Sequence, residues 1–400
     1  ANSTAFAVQA ILAVGQDPLG AAWTTAIGAT TPISFLLGQQ QADGGFAFTT
    51  PPANDFATRQ VVPALLGKTL LIHSPAVARR EALSWILAQQ QPDGSFAGFN
   101  PGATVDAVLA LAAAGRNPVS ARSSDGLTAL DYLTAQAAGY AAQGASAAGK
   151  LAVGVASAGL DPRAFGDIDL TQPISASYTI TDGRFGGAGS IWDQAWAMLG
   201  LRAAGATIPL SATAALEAMQ IEGGGWGFDV TAPADVDSTA LALQALAAAG
   251  RDSTSPVVQA GLAYLRSVQT DGGGFPGYDG LASASSTGLA LQALAAFGEQ
   301  PASLGWTRPI SGTDGASQLL RPTPLDALLA LQSVDGGFAG FSGANDPFST
   351  YQALPGLLGK SYPSLVATPA VAARWLEQHK QNLCSDQYPW ARLSVSGICR

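Results

Sequence analysis

The chain has 400 residues, of which 48% are hydrophobic and only 12% are charged, and its net charge is -9. The acidic balance, with no run of Lys or Arg, excludes nucleic-acid binding, which needs a basic surface to displace counterions. Disorder is excluded as well, because the hydrophobic content is enough to form a core. The most apolar stretches, such as residues 240–249, are far shorter than the ~20 residues of a membrane span. No transmembrane segment is therefore predicted.

In chain order, the first predicted element is a buried helix over residues 2–15, and this helix recurs along the chain. It begins with Asn-Ser-Thr and ends with Gly, which favour the N-cap and the C-cap of a helix. Its interior is apolar on nearly all faces, as is typical of a buried helix. Further copies occupy residues 238–250 and 286–298 or begin near Thr58, Thr104, Ser146, Ser190 and Ser349.

A second, amphipathic helix is predicted in each unit, and a glycine-aromatic turn of the type Gln-x-x-Asp-Gly-Gly-Phe follows it. Asp-Gly-Gly allows a sharp reversal of the chain, and an aromatic ring can then pack beneath the neighbouring helix. Carbohydrate binding is an alternative role for these rings, but their recurrence once per unit favours a structural role. The turn aromatics are Phe46, Phe96, Phe185, Trp226, Phe275 and Phe338.

This repeat resembles that of the squalene and oxidosqualene cyclases and the protein prenyltransferases. The resemblance implies an all-α fold, an α/α toroid with about six to eight helical hairpins. Residues 1–382 are predicted to form the toroid and residues 383–400 a C-terminal tail. Since the toroid serves many functions, individual residues must decide between them.

The metal and cofactor options of these families lack the necessary residues. The resemblance to prenyltransferases implies a zinc site with Asp, Cys and His ligands, but His73 and His379 are isolated and both cysteines lie near the end of the chain. A thioester domain needs Cys-Gly-Glu-Gln, which is missing. Neither a metal nor a cofactor is predicted.

The cyclase option rests on Asp235 and Asp237. Class II cyclases protonate an alkene or epoxide with the central acid of an Asp-x-Asp-Asp-Thr-Ala motif, and residues 235–240 read Asp-Val-Asp-Ser-Thr-Ala. The resemblance implies that Asp237 is the proton donor and Asp235 its partner, although Ser238 replaces the last Asp. Alignment of the repeats favours a simpler interpretation, in which Asp237 is a helix cap like Ser285.

Two further groups of residues suggest a ligand and a location. Trp192, Asp193 and Trp196 open a buried helix, where they line a small-molecule pocket or pack in the core. Cys384 and Cys399 are predicted to form a disulfide that closes a short loop, which implies an oxidising, extracytoplasmic compartment.

Two long segments of the chain are also similar to each other in sequence. Residues 43–68 resemble residues 335–360, about six units later. A ring of six units would therefore overlap itself, so the termini are predicted to mediate self-association.

These observations leave two functions open. The favoured one is an extracytoplasmic, non-catalytic repeat protein that binds a small molecule, a surface polymer or a partner, or that builds a surface assembly. The alternative is a class II terpene cyclase with Asp237 as general acid.

Overall fold

The fold is all-α, as predicted. The computed structural model describes residues 1–13, 16–26, 28–67, 74–99, 101–187, 189–307, 322–340 and 342–366. The helices with the capping pattern are α1 (Asn2–Ala13), α3 (Asp55–Leu65), α5 (Gly102–Ala113), α7 (Ala145–Ser157), α9 (Ile191–Ala203), α11 (Val236–Ala248), α13 (Ala284–Ala296) and α15 (Pro347–Leu357). The others are α2 (Pro32–Gly38), α4 (Pro75–Ala88), α6 (Ala129–Ala141), α8 (Thr171–Ala176), α10 (Leu210–Ala218), α12 (Pro256–Val268), α14 (Pro324–Ala330) and α16 (Tyr362–Val366). Strand β1 (Tyr178–Thr179) pairs antiparallel with β2 (Arg184–Phe185).

Six inner helices form a closed ring. Helices α5, α7, α9, α11, α13 and α15 contact one another in that order, and α15 returns to α5. The inner helices are buried on most faces; α5 buries ten of its twelve residues. The outer helices bury only one stripe, as α12 does with Val258, Gly261, Leu262 and Leu265. This contrast follows from the all-round apolar pattern of the first set and the amphipathic pattern of the second.

Each glycine-aromatic turn is fastened to the inner helix that follows it. The backbone N–H of Trp226 donates to the hydroxyl of Thr239 at 2.9 Å, and the same bond joins Phe275 to Thr287. In the unit of Phe185 the acceptor is the side-chain oxygen of Gln194. All six turn aromatics are buried. The recurring Thr therefore serves the turn.

The Gln that ends each outer helix fastens the turn from the other side. In four units its side-chain amide donates to the carbonyl of the glycine four residues later and to a second carbonyl, on the next outer helix or on the 3₁₀ turn that comes before it. The second acceptors are Ala121 for Gln90, Val257 for Gln220, Trp306 for Gln269 and Ala78 for Gln332. Gln332 thereby joins the last outer helix to α4 and helps to close the ring.

Two pairs of inner helices approach unusually closely. A Cβ on Gly149 would lie 2.1 Å from the carbonyl oxygen of Trp196, and one on Gly356 would lie 2.4 Å from that of Gly288. Only glycine allows such contact between two helix backbones. The α7–α9 and α13–α15 pairs are therefore the tightest seams of the ring.

Residues 1–66 form a separate three-helix unit. Helices α1, α2 and α3 pack on one another around a second small core that includes Val8, Ile33 and Phe46. The ring itself is built from α4 onwards, so the N-terminal unit lies outside it. The predicted boundary at residues 382 and 383, and the predicted Cys384–Cys399 disulfide, lie outside the described residues, and self-association stays a prediction.

Candidate active site in the ring lumen

The lumen of the ring holds a helix of the chain itself. The short helix α16 contacts α5, α7, α9, α11 and α13, and Tyr362 at its start is buried. The Tyr362 N–H donates to the side-chain oxygen of Gln244 at 2.8 Å, and its hydroxyl donates to that of Gln352 at 2.8 Å. No repeat pattern marks this segment, so the sequence analysis did not predict it.

A buried ion pair lies beside Tyr362. The ammonium of Lys150 on α7 is 2.7 Å from a carboxylate oxygen of Asp106 on α5. The amide of Gln352 donates to the other carboxylate oxygen at 3.1 Å. Burial raises the pKa of Asp106, although Lys150 and Gln352 act in the opposite direction. The signal that could have identified this pair is an Asp and a Lys at interior positions of otherwise apolar helices.

Asp235 and Asp237 have different roles at the start of α11. Asp235 is the N-cap, and it accepts a hydrogen bond from the Ser238 N–H at 2.7 Å. Asp237 is in the first turn of the helix and does not cap it. Asp237 is part-exposed as a residue, but its Oδ1 atom is buried and has no hydrogen-bond partner among the residues that the structure describes. The capping interpretation therefore applies to Asp235.

The environment of Asp237 favours its neutral form. Burial raises the pKa of Asp237 to about 6; a hydrogen bond with Ser286 opposes this shift, and the charge of Asp235 adds to it. Gln244 lies seven residues further along α11, hence on the same helix face as Asp237. Gln244 accepts a hydrogen bond from the backbone of Tyr362, which lies in the lumen, so this face of α11 is directed into the lumen.

Tyr362 lies within reach of both buried carboxylates. Burial raises its pKa well above the ordinary value, and the charges of Asp106 and Asp237 raise it further. Three of the five buried side-chain atoms without a partner among the described residues belong to lumen residues: Asp237 Oδ1, Gln244 Nε2 and Gln292 Oε1. Because an unsatisfied buried polar atom is costly, these atoms mark a place where a water or a ligand is expected.

The three predicted pocket residues on α9 are divided between two roles. The Trp192 indole donates to the Ser238 hydroxyl at 3.1 Å, and Asp193 accepts from the Ser146 N–H at 3.0 Å. Both side chains therefore join neighbouring inner helices. Trp196 is buried, and its ring centre lies 4.9 Å from that of Tyr362. Only Trp196 contributes an aromatic face to the centre of the lumen.

A cavity of about 530 Å³ opens at the other end of the inner helices. Its walls are the last turns of α9, α11 and α13, including Arg202, Ala248 and Ala295, and its floor is α16 with Ser361 and Ser364. Asp237 is at the first turn of α11, so α16 lies between the cavity and the carboxyl group.

The described residues contain neither a membrane-spanning helix nor a cluster of metal-binding side chains. Within them, no helix is long and apolar enough to cross a membrane. In the same residues, no three His, Cys, Asp or Glu side chains come together as a metal site.

Comparison with known families identifies the repeat. The sequence matches the family described as "Prenyltransferase alpha-alpha toroid domain" over residues 1–132 and 194–346. No curated protein matches the chain.

Solved structures share the fold at low identity. A type II terpene cyclase variant from Scytonema, MstE_Y157F, is 14% identical, with a TM-score of 0.47 over 71% of this chain and 96% of its own. A protein from Actinoplanes is 19% identical, with a TM-score of 0.47 over 74% and 100% of the two chains. The ent-copalyl diphosphate synthase from Streptomyces platensis is 14% identical, with a TM-score of 0.43 over 88% and 94%. At these values the similarity shows the fold alone.

These comparisons correct the favoured function. The prediction of a non-catalytic ligand-binding or surface-assembly protein is wrong, because the chain matches the prenyltransferase α/α toroid family over most of its length. The repeats are uniform because they build the ring, and their uniformity carries no information about the lumen. The cyclase alternative is the better supported of the two.

Proposed function

Since the chain belongs to the prenyltransferase α/α toroid family, we propose that it is a class II terpene cyclase in which Asp237 protonates an isoprenoid alkene. The observation that carries the proposal is the Asp237 carboxyl group, which faces the lumen with a buried oxygen to which no described residue donates a hydrogen bond. A carboxyl that is protonated on that oxygen can donate its hydrogen to a substrate, since no acceptor among the described residues bonds to this atom.

The raised pKa supports the same role. With a pKa of about 6, Asp237 is half protonated at a pH where an ordinary Asp is ionised. A carboxylic acid that burial keeps neutral is a suitable general acid. Asp235 assists by its charge, which disfavours a second carboxylate nearby, and its cap fixes the first turn that holds Asp237.

The reaction needs no co-reactant. The O–H bond of Asp237 breaks as a C–H bond forms at the less substituted carbon of the terminal alkene, which leaves a tertiary carbocation. The electron pair of the next alkene forms a C–C bond to that cation and closes a ring. Finally a C–H bond beside the last cation breaks, its electrons form a new alkene, and the proton returns to the Asp237 carboxylate directly or through water. The product is an isomer of the substrate.

Two aromatic side chains in the lumen can stabilise the carbocations of this reaction. The faces of Trp196 and Tyr362 can stabilise positive charge by cation–π contact. Tyr362 also occupies space that an isoprenoid chain needs, and α16 separates the open cavity from Asp237. The proposal therefore includes entry of the substrate through this cavity with displacement of the Tyr362 side chain.

The test is incubation with squalene and, separately, with geranylgeranyl diphosphate, followed by mass spectrometry for cyclic isomers. Asp237→Asn is expected to abolish the product, while Asp235→Asn, which can still cap α11 but lacks the assisting charge, retains a reduced activity. Tyr362→Ala is expected to give more product than Tyr362→Phe because it enlarges the lumen. The proposal is wrong if neither the native protein nor Tyr362→Ala forms a cyclic product, or if Asp237→Asn forms as much as the native protein.

We also propose an extracytoplasmic location, which is supported by the predicted pairing of Cys384 with Cys399. Thiol titration in denaturant, on protein purified from its own source without reductant, is expected to find no reactive thiol. Two reactive thiols would contradict this proposal.

A further inference from the structure

The N-terminal unit duplicates a part of the ring. Residues 31–68 align without a gap on residues 323–360, and residues 2–24 align on residues 285–307. Helices α1, α2 and α3 therefore correspond to α13, α14 and α15. The 3₁₀ turn Ala21–Trp23 likewise corresponds to the 3₁₀ turn Leu304–Trp306.

The two segments also share their internal hydrogen bonds. The Gln9 amide donates to the backbone carbonyl of Gln60 at 3.1 Å, and at the equivalent place Gln292 donates to Gln352 at 2.9 Å. The turn bond recurs at 2.9 Å in both copies, from Phe46 to Thr58 and from Phe338 to Thr350. Both segments begin their outer helix with a Thr capping box, at Thr31 and at Thr323. The N-terminal unit and α13–α15 are therefore alike in their hydrogen bonds as well as in their sequence.

The surroundings of the two copies differ. Side chains that the ring buries in α13–α15 have exposed apolar equivalents in the N-terminal unit. The pairs are Phe6 at 39% against Leu289 at 3%, Trp23 at 41% against Trp306 at 0%, and Val62 at 43% against Leu354 at 0%. The N-terminal unit therefore has the surface of a ring segment without the ring neighbours that cover it.

The order of helices in the ring shows which neighbours these are. Elsewhere in the ring, most outer helices pack mainly on the inner helix that precedes them in the chain, as α12 packs on α11 and α14 on α13. At α4 this rule is broken, because α4 packs on α15 although α3 precedes it. Helix α15 thus occupies the position that chain order assigns to α3.

The glutamines of the turns also show that α13–α15 take the place that chain order assigns to the N-terminal unit. Gln220 at the end of α10 donates to a carbonyl of the next outer helix, at Val257. By this pattern the partner of Gln40, at the end of α2, is the carbonyl of Ala78 on α4. That carbonyl accepts instead from Gln332, the equivalent of Gln40, at 2.9 Å. Two equivalent side chains therefore compete for one acceptor.

We propose that residues 2–66 are an alternative closing segment, which can replace α13–α15 beside α4 and α5 within the same chain. The described residues contain eight helices with the capping pattern, of which the ring uses six, and the first two are copies of the last two. A ring of α1, α3, α5, α7, α9 and α11 therefore repeats the same helix pairs. The nine residues between α3 and α4 lie within the range of the other inner-to-outer connections, from six after α9 to twenty-seven after α13. The proposal does not depend on Asp237 or on cyclase activity.

The test weakens the packing of α13–α15, the segment that closes the ring in this structure, in the 400-residue chain. Gly356→Val places side-chain atoms against the backbone of Gly288, while the equivalent position in α3 is Ala64, which the substitution leaves untouched. Hydrogen–deuterium exchange is expected to show α13–α15 losing protection and α1–α3 gaining it, each by on the order of tenfold or more. Helices α5–α11 stay protected, and light scattering finds the same mass as for the native protein.

Two controls make the outcome decisive. Ala64→Val, which damages only the N-terminal unit, is expected to leave the protection of α13–α15 unchanged. The double variant Ala64→Val/Gly356→Val damages both copies and is expected to lose protection throughout α5–α11. If Gly356→Val alone behaves like the double variant, the proposal is overturned. It is also overturned if protection moves to α1–α3 only in dimers or larger species, because closure then occurs between chains.

Discussion

The proposed general acid is expected to destabilise the fold at neutral pH, so its removal provides a test that needs no substrate. In the folded chain the pKa of Asp237 is about 6, against an ordinary 3.8. Because the folded pKa is the higher of the two, the folded state binds the proton more tightly than the unfolded chain does. The resulting stability is fully present below about pH 4 and is lost as the pH rises through 6.

The magnitude follows from the shift. About two pKa units at 1.36 kcal/mol each correspond to a loss of about 3 kcal/mol above pH 7. Asp237→Asn keeps the shape of the side chain and removes the charge. The variant is therefore expected to match the native protein near pH 4 and to exceed its free energy of unfolding by up to about 3 kcal/mol at pH 8.

Urea unfolding followed by circular dichroism at pH 4.5, 6 and 8 measures this difference. Asp131→Asn is a control with the opposite sign. Asp131 is exposed, and hydrogen bonds from Thr128 lower its pKa, so its removal is expected to matter least at low pH and to destabilise the protein at pH 8. If the effect of Asp237→Asn is the same at pH 4.5 and pH 8, the carboxyl is not held in the environment described here.

Two further predictions concern the ring itself. Lys150→Met leaves the buried Asp106 without its cation and is expected to cost about 3–5 kcal/mol of unfolding free energy, most of which the double variant Lys150→Met/Asp106→Leu recovers. Equal destabilisation of the single and double variants in urea would argue against the ion pair. Gly149→Ala drives a Cβ into the backbone at Trp196 and is expected to lower the melting temperature. Gly139→Ala in α6, where nothing lies within 4 Å of the new Cβ, is expected to stabilise the protein by about 0.5–1 kcal/mol. A melting temperature that falls equally in both variants would contradict the tight α7–α9 seam.

The fold could be predicted from the sequence because its signals are local and repeated. In most units the recurring Thr lies in the first turn of a buried helix and accepts the turn bond, as Thr239 does from Trp226, while the cap lies just before it, as at Asp235. Each copy of such a signal confirms the others, so the array is evident even where single units are degenerate.

The lumen could not be predicted because its residues occur once and meet over long distances. Asp106 and Gln352 are 246 residues apart, and Tyr362 follows the last repeat. Alignment of the repeats even misdirected the interpretation of Asp237, because it equated this residue with Ser285 and took the position for the cap. The cap of α11 lies two residues earlier, at Asp235, which leaves the Asp237 side chain available for another role.

The choice between the two closing segments also depends on a few side chains outside the repeat pattern. Tyr351 of α15 donates to the carbonyl of Ala97 at 3.0 Å and packs edge-on against Phe96. The equivalent residue of α3 is Arg59, an exposed cation that would have to be buried at the same place. Burial of a charged side chain is unfavourable even when it has an ion-pair partner, so α15 is the better partner for α5 although the two segments share their backbone hydrogen bonds. Arg59→Tyr is therefore expected to increase the fraction of chains closed by α3.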